Sequence, residues 1–250
     1  MLLRRITKHV KDQNWFAVAL DFIVVVVGIL IAFQISSMAE RRGEIAKFDR
    51  QMQALKIEMI ENSERYEITL KKIENQLAGV SRLREILADP EIEVTDSEID
   101  LLLYRTIGVI GVFTKRSSLD AALSSELFAE SNPSELIDAV ERWEEKLSQL
   151  NRVQQDALRF RDSKMHAYFT ENLAYASVFA VAGLANGQIA PSKVGNSRVE
   201  LSDDRTLDNI LAGRQLSTLQ DITYTRELAM HASEIIRLIE KQSSYPDLSP

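Results

Sequence analysis

Residues with the means for acid–base or metal chemistry are few in this chain. It has three histidines, His9, His166 and His231, and no cysteine. A zinc protease places two histidines one helical turn apart, as HExxH, so that both imidazoles reach one metal. A di-iron bundle uses Glu-x-x-His for the same reason. Neither spacing occurs here. His166 and His231 fall on expected helices, where they could meet across a bundle with acids such as Glu171 or Glu227. The plainer reading is two histidines at a helix surface or boundary. Asp203-Asp204 reads as a helix cap rather than a metal site. The lack of cysteine excludes disulfides, iron–sulfur clusters, thiolate zinc sites and cysteine nucleophiles. No phosphate-cradling glycine loop, GxSxG elbow or kinase signature is present. The expectation is therefore no catalytic residue, no cofactor and no metal, hence not an enzyme. Tyr168, Phe169, Tyr175 and Phe179 recur at helical spacing. They read as core, with a pocket between helices as the alternative.

One ionisable residue sits in an unusual setting. Asp21 lies inside Trp15 to Ile35, an apolar stretch with no polar side chain from Phe22 to Phe33. A bilayer core about 30 Å thick needs roughly 20 apolar residues to be crossed by a helix. Only a helix or a closed barrel satisfies backbone groups in lipid. The stretch is thus expected to be one transmembrane helix, 15–36, with Trp15 as the interfacial anchor. A cleaved signal is the alternative, with Arg4, Arg5, Lys8 and Lys11 ahead of it and Ser37-Met38-Ala39 after it. The apolar run exceeds the roughly 7–15 residues of a signal core, which favours a retained anchor. Ala17, Asp21, Val24, Gly28, Ile31 and Ile35 fall on one helix face, and Gly28 with Ala32 makes a small-xxx-small pair that permits close helix approach. This face is the candidate interaction surface, toward a membrane-protein partner or a second copy. Asp21 is either part of it or hydrated near the interface, about 9 Å past Trp15.

The elements around that span follow from breakers and periodicity. Residues 1–14 form a basic tail. The basic flanks on the two sides of the span nearly tie. A short basic tail ahead of a first span usually stays inside, which puts the C-terminal part in the periplasm. No proline occurs before Pro90. Ile45, Phe48, Met52, Leu55 and Met59, then Tyr66, Leu70, Ile73, Leu77 and Val80, predict a long amphipathic helix over 37–88. That stripe suits either the first helix of an antiparallel bundle or a homotypic coiled coil, and Asn62 within it does not decide. Asp89-Pro90 ends it.

Residues 89–243 are expected to complete a helical bundle. Thr95-Asp96-Ser97-Glu98 reads as a capping box, with its helix broken at Gly108 and Gly111. A short helix over Leu119–Glu130 is capped by Ser117 or Ser118. Asn132-Pro133-Ser134-Glu135 reads as N-cap, N1 and N3 of a helix running to about Ala180. A loop is expected over Gly183–Ser202. The last helix starts at Ser202-Asp203-Asp204 and carries Leu207, Ile210, Leu211, Leu216, Leu219, Ile222, Ala229, Ala232, Ile235 and Ile239, with a possible bend at Gly213. Residues 244–250 form a tail. The fold class expected is all-α.

The segment DFIVVVVGILIAFQISSMAERR resembles the N-terminal signature of a family of uncharacterised bacterial single-span membrane proteins, whose span carries VVxGIxIAxQ. Here Ser36-Ser37-Met38-Ala39-Glu40 replaces the family's following polar segment and keeps only its Glu. Phe113-Thr114, Leu119, Ala122-Leu123, Ser124-Ser125 and Leu127, then Leu136, Ala139-Val140 and Trp143, are similar to its middle region. The resemblance implies location in a bacterial inner membrane and this architecture, and no activity.

The net charge of −7 argues against nucleic-acid binding, which needs clustered Lys and Arg. Two functions fit. One is a membrane-anchored helical interaction protein, an accessory or scaffold subunit of a membrane complex. The other is a periplasmic sensor-like bundle that binds a small ligand and signals through a partner.

Overall fold

A computed structural model describes the backbone of residues 15–181, 189–193 and 195–243, and the side chains of 19–181, 189–193 and 195–242. The basic tail 1–14, the tail 244–250 and most of the glycine-bearing part of the expected 183–202 loop lie outside the described residues. So do the side chains of Trp15 and Ala17. The described elements are all helical, with no strand among them. The first, α1, runs unbroken over Trp15–Ala88. The chain divides into two units, Met1–Gln51 and Met52–Pro250.

The first unit consists of the N-terminal part of α1. Its apolar side chains from Leu20 to Met38 are largely exposed, and so is Ile45, which the stripe had placed in a core. The helix is long and apolar enough to cross a membrane, with an 18-residue window of mean hydropathy 2.5, none of it buried.

The second unit is a helical bundle with its own core. From Met52 on, α1 buries Met52, Leu55, Met59, Tyr66, Ile73, Val80, Leu83 and Ile86. It is followed by α2 (Asp96–Ile107), α3 (Ser117–Leu123), α4 (Glu126–Ser131) and α5 (Ser134–Phe160). Then come a π turn at Arg161–Met165, α6 (His166–Asn172), α7 (Tyr175–Val181), α8 (Arg198–Leu201) and α9 (Arg205–Ser243). Ion pairs give the register. Lys56, Glu74 and Arg84 of α1 meet Glu240, Arg226 and Asp208 of α9 at 2.8, 3.1 and 3.0 Å. Arg142 and Lys146 of α5 meet Glu234 and Glu227 at 3.3 and 2.9 Å. Thus α9 runs antiparallel to both α1 and α5. Within this unit the stripe belongs to an antiparallel bundle, the first of the two alternatives.

Local signals explain several ends. Thr95 Oγ1 accepts the Glu98 N–H at 3.2 Å, the expected cap of α2. Asp204 Oδ1 accepts from Thr206 and Leu207 at 2.7 and 2.9 Å and so starts α9. Between α2 and α3 the chain is extended. Gln76 holds its start at Gly108, and Asn62 holds Lys115. Gln76 to Asn62 is ~21 Å of α-helix, and residues 108 to 115 span ~23 Å of extended chain, so the segment fits α1 lengthwise.

Further expectations are corrected. The helix over 119–130 is two helices, because Ser124 bonds back to Ala121 O at 2.8 Å and Ser125 is extended. Such local side-chain bonds compete with the helical ladder. Asn132 does not cap α5. Its amide donates to Phe128 O at 2.9 Å and closes α4 instead. The helix expected to reach Ala180 contains the π turn and stops at Asn172, with Leu173 extended. The N–H left free at Ala174 is taken by Asn196 Oδ1 at 2.7 Å. Finally, Leu216 and Leu219 are not core but 60% and 45% exposed, and α9 continues through Gly213. A Cβ at that position would stand 2.8 Å from the Phe160 ring, so close packing rather than a bend explains the glycine.

Candidate functional site

The described residues of the candidate face on the apolar segment are all exposed. Val24, Ile31 and Ile35 are 62%, 54% and 64% exposed, and Asp21, Gly28 and Ala32 are exposed too. A Cβ built on Gly28 meets nothing within 4 Å. Of this face and its anchor, Trp15 and Ala17 lie on α1 with their side chains outside the described set. A helix N- and C-terminal of this face is continuous, so the residues share one register.

The two described histidines take separate partners. His166 Nδ1 is 2.8 Å from the Tyr175 hydroxyl, and His231 Nδ1 is 3.6 Å from Glu234. Neither of the acids named for them, Glu171 and Glu227, is involved, and Glu227 is paired with Lys146. Among the described residues no group of three His, Asp or Glu side chains could hold a metal ion. Phe169 and Tyr168 are buried, and Tyr175 packs edge-on against Phe179 at 4.9 Å. Tyr168 and Phe169 belong to the core, Tyr175 and Phe179 pack half-buried against it, and Tyr168 also reaches the groove described below.

Sequence reasoning missed the densest polar cluster. The buried seam of α9 runs through Leu207, Leu211, Arg214, Thr218, Asp221, Thr225, Leu228, Ala232, Ile235 and Ile239, with Ile210, Ile222 and Leu238 buried beside it. The seam alternates in steps of four and three, with four polar residues in mid-series. The apolar-only stripe had gone through Leu216 and Leu219 and so left the true seam. The signal that finds it is this regular spacing, kept even where the residue is Arg or Asp.

The polar cluster has a structural purpose. A helix C-terminus leaves its last carbonyls without partners and carries partial negative charge. At the end of α2, Arg214 Nε donates to Thr106 O at 3.0 Å, and its Nη2 donates to Gly108 O and to Gln76 Oε1. Gln76 Nε2 donates to Arg105 O at 2.8 Å and to Gly108 O. Two side chains thus satisfy three orphan carbonyls in the interior. Arg214 Nη1 also donates to Ser217 Oγ at 3.1 Å. Burial lowers the Arg214 pKa, offset in part by Asp221. One turn onward from Thr218, Asp221 is 1% exposed, and its Oδ1 has no hydrogen-bond partner among the described residues. Burial pushes its carboxyl up to about 6, against the pull of Arg214.

A second polar contact lies across α2 and the 189–197 segment. Asn196 Nδ2 donates to Asp100 Oδ1, and both residues are buried. Burial raises the Asp100 pKa, and the Asn196 bond opposes that rise.

An open groove of about 520 Å³ runs between the π-turn arm and the start of α9. Phe160, Tyr168 and Ile210 form its apolar wall, and Lys164, Glu171 and Asn209 its polar rim. The Tyr168 hydroxyl donates to Asp204 Oδ2, so Asp204 both caps α9 and fixes the wall. π turns are frequent where a helix is adapted for function.

No family model, no curated protein and no solved structure matches this chain.

Proposed function

We propose that this protein is a membrane-anchored helical interaction protein, an accessory or scaffold subunit without catalysis. In this reading residues 15–36 cross a bacterial inner membrane once, with the N-terminus in the cytoplasm and the bundle in the periplasm. The face of Ala17, Asp21, Val24, Gly28, Ile31, Ala32 and Ile35 docks on a membrane-protein partner or a second copy. Kinship with the single-span family that its span resembles belongs to the same proposal.

The observation that carries it is the unbroken α1, whose exposed apolar part leads without a turn into the first helix of a packed bundle. An apolar surface of this extent is unfavourable in water and is relieved by lipid or protein. Small residues on one side let a second helix approach closely in lipid. Buried polar side chains add support. Glu58, Asn62, Gln76 and Arg214 bond helix ends and backbone, which is architecture rather than reaction chemistry.

The chain lacks cysteine, so single substitutions to Cys along the span give a clean crosslinking scan in native membranes. Crosslinks are expected to peak at positions 21, 24, 28, 31 and 35 and to fall at 22, 26, 30 and 33. A band at twice the chain mass identifies a second copy, and another mass identifies a partner. A flat profile overturns the reading.

The groove beside the π turn favours a second reading, the sensor-like bundle. Its volume falls within the range of small-molecule sites. A thermal shift of the full chain by a panel of amino acids and small peptides, lost on Lys164→Ala, is the expected result there. No shift with any member removes that reading.

A further inference from the structure

We propose that Asp221 and Arg214 form a proton-controlled latch: a neutral Asp221 lets Arg214 clamp α2 and the extended segment 108–116 onto the bundle, and an ionised Asp221 loosens them. The geometry has three parts. Arg214 is buried, and its guanidinium holds the carbonyls of Thr106 and Gly108 together with Gln76. It is the main tie between α9 and the end of α2. Asp221 is equally buried, two turns along the same helix face, and one of its oxygens has no partner among the described residues. A carboxylate so placed is costly while ionised and cheap while protonated. Ionised, it would also attract, through space, the one guanidinium that the α2 carbonyls use.

On the 108–116 segment Lys115 is tied to Glu61, and Arg116 to Asp120 and Glu144. Arg214 is the charge that acts on Asp221, and Arg161 at the π turn acts on Arg214. From α1, Gln76 presents a neutral amide, and Glu74 is tied to Arg226 at the surface. From α5, Lys146 is tied to Glu227. Among the described residues no ion pair joins Asp221 to a cation, and Arg214 acts on it only through space; hydration is the relief left to an ionised Asp221, and in the latch the 108–116 segment, bonded to α9 at Arg214 two turns away, is the part that lifts to admit it.

The sign follows from linkage. The Asp221 carboxyl is raised to about 6 in the closed state. Closure is therefore favoured fully below the ordinary carboxylate range and is weakened as pH rises through about 6. If opening restores the ordinary value near 4, the opening equilibrium grows on the order of tenfold from pH 5 to pH 7.5.

Hydrogen exchange of the full chain in lipid nanodiscs, corrected for the intrinsic pH dependence of exchange, tests this. Peptides covering 99–116 are expected to open roughly tenfold more at pH 7.5 than at pH 5, with no such change in 136–150. Asp221→Asn is expected to hold protection at its low-pH level at both values. As a control for the two described histidines, a His166→Asn, His231→Gln double variant must keep the wild-type pH response. Should Asp221→Asn fail to fold, the wild-type series and the double variant decide. A pH-independent 99–116, a response that survives Asp221→Asn, or one that disappears with the histidines overturns the latch. The outcome is independent of whether the span docks on a partner.

Discussion

Glu58 is a side chain of α1 that starts a helix about sixty residues away. Its carboxylate accepts the N–H groups of Ser118 and Leu119 at 2.8 and 3.1 Å and the Ser117 hydroxyl at 3.0 Å. The sequence pattern predicts a cap at Ser117 or Ser118, but the Ser117 hydroxyl donates to Glu58 instead. A carboxylate at a helix N-terminus gains from both the orphan donors and the dipole. Glu58→Gln keeps the shape and one acceptor but loses the charge, and is expected to cost ~1–2 kcal/mol in urea denaturation. No loss would mean that the contact is incidental. Caps made within three residues of their helix were legible: Thr95 and Asp204 act where the sequence put them. Those made across the fold, by Glu58, Asn62, Gln76 and Arg214, were not. Their partners are backbone atoms whose proximity is created by the packing itself.

At the level of the elements, two helical glycines look alike in sequence and differ in space. At Gly79 a Cβ would meet Arg105 Cδ at 3.4 Å and Cβ at 3.6 Å, ordinary contact. Glycine within a helix costs about 1 kcal/mol against alanine, so Gly79→Ala is expected to stabilise by ~0.5–1 kcal/mol. At Gly213 the same methyl meets the Phe160 ring at 2.8 Å, and the gain in propensity is offset by displacing that ring from the groove wall. Gly213→Ala is expected to return less than Gly79→Ala in the same melt, and an equal gain would show the ring to be free. Element type and order were legible from periodicity and breakers, because few glycines and prolines interrupt long stripes. The breaks at Ser124-Ser125 and Leu173 were not. They depend on serine, threonine and asparagine side chains turning back on their own helix, as Thr170 and Asn172 do toward His166 O and Tyr168 O. The register of α9 was not legible either, since an apolar-only stripe cannot follow a seam that holds Arg214 and Asp221.

For the whole molecule, the all-α class and the long leading helix follow from composition and spacing alone, whereas the pairing of α9 with both α1 and α5 does not. The surface ion pairs that mark that pairing are mostly half exposed and individually contribute little. The apolar seams supply the stability. This arrangement closes the bundle with its last helix. Arg84 and its partner Asp208 stand 124 positions apart. A ribosome adds about 5–20 residues per second, so the oily edge of residues 52–86 is born on the order of ten seconds before the segment that covers it. During that interval a nascent chain presents the edge bare, and shelter by a chaperone or by the translocation machinery is the condition for a productive yield.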